Sequence, residues 1–221
     1  MNITPAILPH SFEELTEKLS RLDGISSEVQ IDICDGVFGL EKTWMPNEGD
    51  ALPSGFEYEF DVMVEDWQTM IPACIALGAK RVVIHVDRMS EDDVRGLVSS
   101  LKEQNVVAGI AVSNDVAIET HLAFLRAARD ADFRVYAQVM GIERVGEQGL
   151  EFDSTAPERV MAIKRAIGDV HVQVDGAMNP ETAPKVIQAG AETLVVGSYL
   201  FNGGDVGSSY AQMTNLSSDV D

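Results

Sequence analysis

Residues 171–201, HVQVDGAMNPETAPKVIQAGAETLVVGSYLF, read as one complete strand–helix–strand unit, and the rest of the chain repeats its plan. The alternating run His171-Val172-Gln173-Val174 ends in Asp175-Gly176. Asn179-Pro180-Glu181-Thr182 then opens a helix, with Asn179 as N-cap, Pro180 at the first helical position and Glu181 in the first turn. Gly190 closes it. Leu194-Val195-Val196 is an apolar, β-branched run of the kind buried on both faces of a parallel sheet, and it stops at Gly197-Ser198. Both strands therefore end, on the same edge of the sheet, in groups suited to a ligand: a carboxylate and a Gly-Ser turn. In parallel α/β folds that edge is where sites are built.

Further strands are predicted over 3–8, 29–33, 58–64, 81–86, 106–112 and 135–140, and helices over 12–22, 67–77, 91–103, 116–128 and 157–167. Ser11 and Glu14 have the spacing of a capping box. The stretch 36–56 is rich in Gly and Pro, holds Trp44 and has no helical period, which makes it a candidate substrate-covering loop. Residues 141–149 form a glycine-punctuated loop. From Asp205 onward at most one short helix is expected, with 217–221 frayed. Strands recur about every 25–30 residues through roughly eight units, the rhythm of a (β/α)₈ TIM barrel. A single barrel domain over 1–221 is the expectation; an open doubly wound sheet is disfavoured because no GxGxxG follows the first strand.

A formal charge of −20 argues against nucleic acid and anionic membranes as partners, since both demand a basic face. An anionic small molecule is not excluded, because backbone N–H groups at glycine turns and helix N-termini hold phosphate where the average field is repulsive. Cys34 and Cys74 lack the spacing of a disulfide framework or a zinc site, which points to a reducing, cytoplasmic compartment. No run of 18 apolar residues occurs, and the first residues carry no basic region followed by an apolar one, so membrane insertion and secretion are unsupported.

In a barrel, the strand ends bring Gln30, Asp32, Asp61, His85, Ser113, Met140, Asp175 and Ser198 around one mouth. Three carboxylates converging there repel one another unless a cation or shared protons lie between them. With Gln30 the donor set is all oxygen, which favours Mg²⁺ or Mn²⁺, with zinc or iron as softer alternatives. Each Asp taken alone has a plainer reading as a helix cap. His85, in an apolar strand, is more often a satisfied core residue than a ligand, and Cys34, Met63 and Met140 are soft groups that also serve as ordinary core filling. His10, His121 and His171 are assigned no role.

Several segments resemble, in order and spacing, the motifs of the ribulose-phosphate 3-epimerases. They are Ile3-Thr4-Pro5-Ala6-Ile7-Leu8, Gln30-Ile31-Asp32-Ile33-Cys34-Asp35-Gly36, Phe60-Asp61-Val62-Met63-Val64, His85-Val86-Asp87, Val174-Asp175-Gly176 with Asn179-Pro180-Glu181-Thr182, and Gly197-Ser198. The resemblance implies that Asp32 and Asp175 are both metal ligands and the acid/base pair inverting C3 of a pentulose 5-phosphate through an enediolate. It implies a phosphate held at Gly176-Ala177 and Gly197-Ser198 with help from Gly146 and Gly149, and places Cys34, Met63 and Met140 where the family carries a methionine cushion. Barrels of this kind associate through outer helices, so a homo-oligomer is also an expectation.

Departures from the pattern are specific. Gln30 and Asp61 stand where the family has two metal-binding histidines, Ala6 replaces a serine and Val37 a histidine, and the loop after the sixth strand is longer and carries Glu143, Arg144 and Glu147. The second helix is missing, its place taken by the Trp44 loop. Two alternatives follow. One is a related barrel lyase or synthase acting on hexulose phosphates, weakened because Met63 occupies the place of an expected lysine. The other is a sugar-phosphate-binding protein without catalysis.

Overall fold

The computed structural model describes residues 1–38, 41–131, 133–147 and 149–216. Eight strands close in sequence order into a parallel barrel: β1 (Asn2–Ile7), β2 (Glu28–Cys34), β3 (Glu57–Met63), β4 (Ala79–Ile84), β5 (Val107–Val112), β6 (Val135–Met140), β7 (Val172–Asp175) and β8 (Thr193–Val196), with β8 pairing back onto β1. The expected architecture is thereby met.

Strand periodicity divides the chemistry between two surfaces. Alternate residues such as Ile31, Ile33, Phe60, Ile110, Val139 and Val174 are buried with the helices in the main apolar core. Each such side chain contributes about 1.5–3 kcal/mol of burial. The intervening positions face the barrel interior and are largely polar: Gln30, Asp32, Glu59, Asp61, Gln138 and Gln173, all buried. Apolar clusters interrupt this lining on the flank formed by Val83, Ala111 and Tyr136 and, toward the mouth, at Leu8, Cys34 and Met63. Register fixes which polar groups meet: Asp32 lies opposite Asp61, Gln138 opposite Gln173, and Met140 opposite Asp175.

Helices α1 (Phe12–Ser20), α2 (Trp67–Ala76), α3 (Glu91–Glu103), α4 (Ile118–Asp130), α5 (Ala156–Ile167), α6 (Ala183–Ala189), α7 (Ser198–Asn202) and α8 (Val206–Asn215) surround the strands. Ser11 Oγ accepts from Glu14 N at 3.1 Å, and the Glu14 carboxylate accepts from His10 N at 2.7 Å, one residue earlier than a strict capping box. Among the described residues no helix is long and apolar enough to cross a membrane.

Two expectations change. The helix after β7 starts at Ala183, not at Pro180. Asn179 Oδ1 accepts from the amides of Glu181 and Thr182 at 2.8 and 3.2 Å, so its side chain closes a local turn that precedes the helix. From Asp205 onward there is one short helix, α8, as expected, while α7 forms directly after β8 where no helix was predicted; residues 217–221 lie outside the described set. Between β2 and β3 there is no helix among the described residues, as the sequence implied; of the 36–56 stretch, Phe38 packs against Leu8, Cys34 and Met63, and Glu41 N donates to Gly146 O at 3.3 Å. Trp44 is buried against Phe12 of α1, ring centroids 5.5 Å apart, and its amide donates to Pro9 O at 2.7 Å. Burying the indole on the barrel's flank outweighs leaving it over a polar opening.

Candidate active site

Asp32 and Asp61 are buried and Asp175 is half-buried; one carboxylate oxygen from each lies within 4.8 Å of the others. Gln30 holds two of them together. Its Nε2 donates to Asp32 Oδ1 at 2.9 Å and to Asp175 Oδ2 at 2.8 Å, while its Oε1 is buried without a hydrogen-bond partner. Asp61 is fixed from behind: His85 Nε2 lies 2.7 Å from Oδ1, and Gln138 Nε2 donates to Oδ2 at 2.7 Å and more weakly to Asp175 at 3.4 Å.

Beneath this layer lies a second one. Gln173 Nε2 donates to Gln138 Oε1 at 2.5 Å and to Glu59 Oε1 at 2.8 Å. Glu59 Oε2 accepts from Arg81 Nε and from the Tyr136 hydroxyl, each at 2.7 Å. Arg81 also donates to Glu28 at 2.7 Å. Gly109 makes room for the Tyr136 ring, since a Cβ there would lie 2.4 Å from Tyr136 Cζ.

Among the described residues, four interior carboxyls, Asp32, Asp61, Asp175 and Glu59, therefore face Arg81 and His85 as candidate cations. With every group ionised, two negative charges remain. Burial, reinforced by Asp175 and Asp61, drives Asp32 well above the usual carboxylate range. Burial and the Asp61 charge push Asp175 up to about 7, against the opposing Gln30 hydrogen bond. Glu59 is also raised by burial, with Arg81, Gln173 and Tyr136 opposing. Burial disfavours the charged form of His85, but the Asp61 carboxylate overrides it and raises the imidazole.

A deficit of two charges is what one divalent cation or two protons would neutralise. The donors fit a hard ion: carboxylate oxygens from three strands and the unpartnered Gln30 Oε1. Zinc and iron, which take imidazole and thiolate readily, find no histidine directly beside the trio except His85, whose Nε2 is spent on Asp61.

Above the carboxylates is a cavity of about 60 Å³, bordered by Asp32, Met63, Met140, Asp175 and the three turns expected to take phosphate: Gly146 to Gly149, Gly176-Ala177, and Gly197-Ser198. Gly176 has φ +107°, and a Cβ there would lie 2.9 Å from Ile142. Ala177 also sits in the left-handed region, at φ 55°. Its carbonyl is pinned by Thr182 Oγ1 at 2.6 Å and Asn179 Nδ2 at 3.1 Å.

Of the residues singled out from sequence, Gln30 and Asp61 do not line the cavity; Gln30 reaches it through its hydrogen bonds to Asp32 and Asp175, which do. His85 stands behind Asp61 with the Phe38 ring edge-on at 5.2 Å, and Cys34 packs behind Met63, Sγ to Sδ 3.8 Å, so both support the site without lining it. Burial pushes the Cys34 thiol far up, leaving it inert. Glu59, Tyr136, Gln138 and Gln173 were not singled out, although a glutamine inside VYAQVM and another inside VQVD are polar interruptions at inward positions. Glu147 also borders the cavity, ion-paired with Arg144 at 3.1 Å.

A model of the Ribulose-phosphate 3 epimerase family matches residues 2–201. A protein named ribulose-phosphate 3-epimerase from Bacillus subtilis is 27% identical over 213 residues, covering 93% of this chain and 94% of its own length. The rice protein named as the cytoplasmic isoform is 24% identical over 208 residues, covering 93% of this chain and 89% of its own. Among solved structures, 3-hexulose-6-phosphate synthase from Salmonella typhimurium superposes with a TM-score of 0.67 at 13% identity, covering 98% of each chain, a likeness of fold. With the match running through every barrel strand, the chain belongs to the ribulose-phosphate 3-epimerase family.

Proposed function

We propose that this protein epimerises a pentulose 5-phosphate at C3, with Asp32 and Asp175 as the acid/base pair. One observation carries the reading: the two carboxyls come from strands on different sides of the barrel, are bridged by a single amide, and border the same cavity. Inversion at carbon needs an acid and a base on opposite faces of a planar intermediate, one deprotonated while the other holds a proton. Burial, with repulsion from the neighbouring carboxylates, raises both groups and so favours a state in which one of the pair keeps its proton. One carboxylate removes the C3 proton, and the other returns one from the far side. The backbone amides of Gly176-Ala177 and Gly197-Ser198 suit the phosphate, which a chain of net charge −20 cannot attract by its average field.

Gln30, Asp32, Asp61 and Asp175 would hold a divalent cation, with Mg²⁺ or Mn²⁺ favoured by the oxygen donors. When bound, it supplies positive charge beside the oxygens on which negative charge develops as the proton leaves. A cavity of about 60 Å³ is small beside the roughly 300–1,000 Å³ of most ligand sites. Gly146, at φ 72°, and Gly149, at φ 80°, border it from the loop after β6. Both cysteines are free and buried, which suits a reducing compartment such as the cytosol.

The test is D-ribulose 5-phosphate with Mn²⁺ or Mg²⁺, following xylulose 5-phosphate formation and exchange of the C3 proton in D₂O. The expected result is turnover that Asp175→Asn lowers by about 10²–10⁴-fold. Absence of turnover and exchange would end the proposal. Tight binding without exchange would instead make this a sugar-phosphate-binding protein, the reading favoured by the replacement of two histidines.

A further inference from the structure

The two ends of the Gln30 carboxamide are in opposite situations. Nε2 makes both available hydrogen bonds, to Asp32 at 2.9 Å and Asp175 at 2.8 Å, whereas the equally buried Oε1 makes none. A carboxamide is nearly symmetric in shape, and its terminal torsion has two broad wells related by a half-turn. Turning it exchanges nitrogen for oxygen with almost no displacement of neighbouring atoms. Between two ionised carboxylates the nitrogen is the favoured end, because an oxygen there would meet them lone pair to lone pair. With a cation between the carboxylates the preference reverses, since the N–H groups would then be repelled and the oxygen would be a ligand.

The neighbouring Gln138 cannot do the same. Its Nε2 donates to Asp61 at 2.7 Å, and its Oε1 is tied by Gln173 Nε2 at 2.5 Å, so both ends are committed. Among the described interior glutamines, Gln30 is the one whose oxygen is buried without a partner while its nitrogen bridges two of the three carboxylates.

We propose that the Gln30 side chain is a two-position element that selects a hard divalent cation. Nitrogen inward, it bridges Asp32 and Asp175 in place of the ion; oxygen inward, it completes an all-oxygen shell around it. An imidazole at this position would offer the ion a nitrogen and thereby favour zinc over manganese. This inference rests on the cation site of the proposed function.

Two measurements test it on the full-length protein. In ¹⁵N-labelled protein, the Gln30 side-chain NH₂ resonances, assigned by their loss in Gln30→Leu, should move on saturation with Mg²⁺ by more than those of Gln138 and Gln173. By calorimetry, Gln30→Leu should bind Mn²⁺ at least about tenfold more weakly than wild type, and Gln30→His should shift the Mn²⁺/Zn²⁺ affinity ratio at least about tenfold toward zinc. Failure of wild type to bind either Mg²⁺ or Mn²⁺ removes the cation site, and the inference with it. Binding by wild type together with unmoved Gln30 resonances, or with undiminished Mn²⁺ affinity in folded Gln30→Leu, overturns the inference while leaving the cation site standing. The resonance measurement needs only wild-type spectra should Gln30→Leu fail to fold, because selective unlabelling and through-bond correlation then supply the assignment.

Discussion

The Tyr136 hydroxyl crosses the barrel floor to reach Glu59 Oε2 at 2.7 Å, through space that exists because residue 109 is glycine. Gly109→Ala would place a methyl 2.4 Å from the Tyr136 ring, with packed strands on either side. Overpacking of this kind costs about 1–3 kcal/mol. In urea titrations Gly109→Ala should lower stability by that amount, and Gly109→Ala with Tyr136→Phe should recover little, because the ring remains. An unchanged midpoint for Gly109→Ala would mean that the ring has somewhere else to go.

Glu59 is fully buried, and among the described residues its cationic partner is Arg81, at 2.7 Å. Removing one member of a buried pair costs about 3–5 kcal/mol because the other charge is stranded. Arg81→Ala should therefore be strongly destabilised, and Glu59→Gln should restore part of the loss by discarding the stranded charge. A double variant no more stable than Arg81→Ala alone would show that Arg81 acts through Glu28 instead, to which it also donates at 2.7 Å.

The ion-free protein should be more stable in mild acid than in mild alkali. Asp175 is pushed up to about 7 from an ordinary value of 3.8, so the folded state binds a proton that the unfolded chain releases. Stability from that proton is full below about pH 4 and is lost as pH rises through 7. The raised Asp32 and His85 act in the same direction. With EDTA present, the Tm should fall between pH 5 and pH 8, and Mn²⁺ should raise it more at pH 8 than at pH 5, since the ion competes with protons for the same oxygens. A Tm that climbs over this interval would contradict the charge deficit.

Ala177 pays for its left-handed backbone at φ 55°, a conformation costing an L-residue about 1–2 kcal/mol. Glycine removes that strain but adds freedom to the unfolded chain, so Ala177→Gly should raise stability by only about 0.5–1 kcal/mol. Gly176→Ala should do the reverse, at φ +107° with Ile142 only 2.9 Å from the new methyl. Substrate KM should also rise in Gly176→Ala, because the turn carries amides that border the cavity. Equal thermal midpoints for the two variants would argue that the turn relaxes freely.

Strand order and the positions of Asp32, Asp61 and Asp175 were legible in the sequence because β-branched runs ending in Asp or Gly-Ser are local signals, complete within a few residues. β6 matches its predicted limits, as does α3, whose Ser90 and Asp93 make a reciprocal capping box. What could not be read is whatever depends on residues far apart in the chain. Glu59 meets Gln173 across 114 positions, and Gln138 meets Asp61 across 77; neither pairing leaves a trace in local spacing. The packing of Trp44 could not be read for the same reason. Its place against Phe12 is decided by a tertiary contact, while its neighbours only announce an irregular loop.

The pairing of Asp32 with Asp61 across β2 and β3 has a last consequence. Sliding one strand past the other by a single residue would turn Ile31 or Phe60 into the lumen and send an acid outward among the helices. Misfolded neighbours of the native state are thus penalised twice, by wetted hydrocarbon and by a charge in oil. The same acids that make the floor of the barrel electrostatically uncomfortable also act as proofreaders of its assembly.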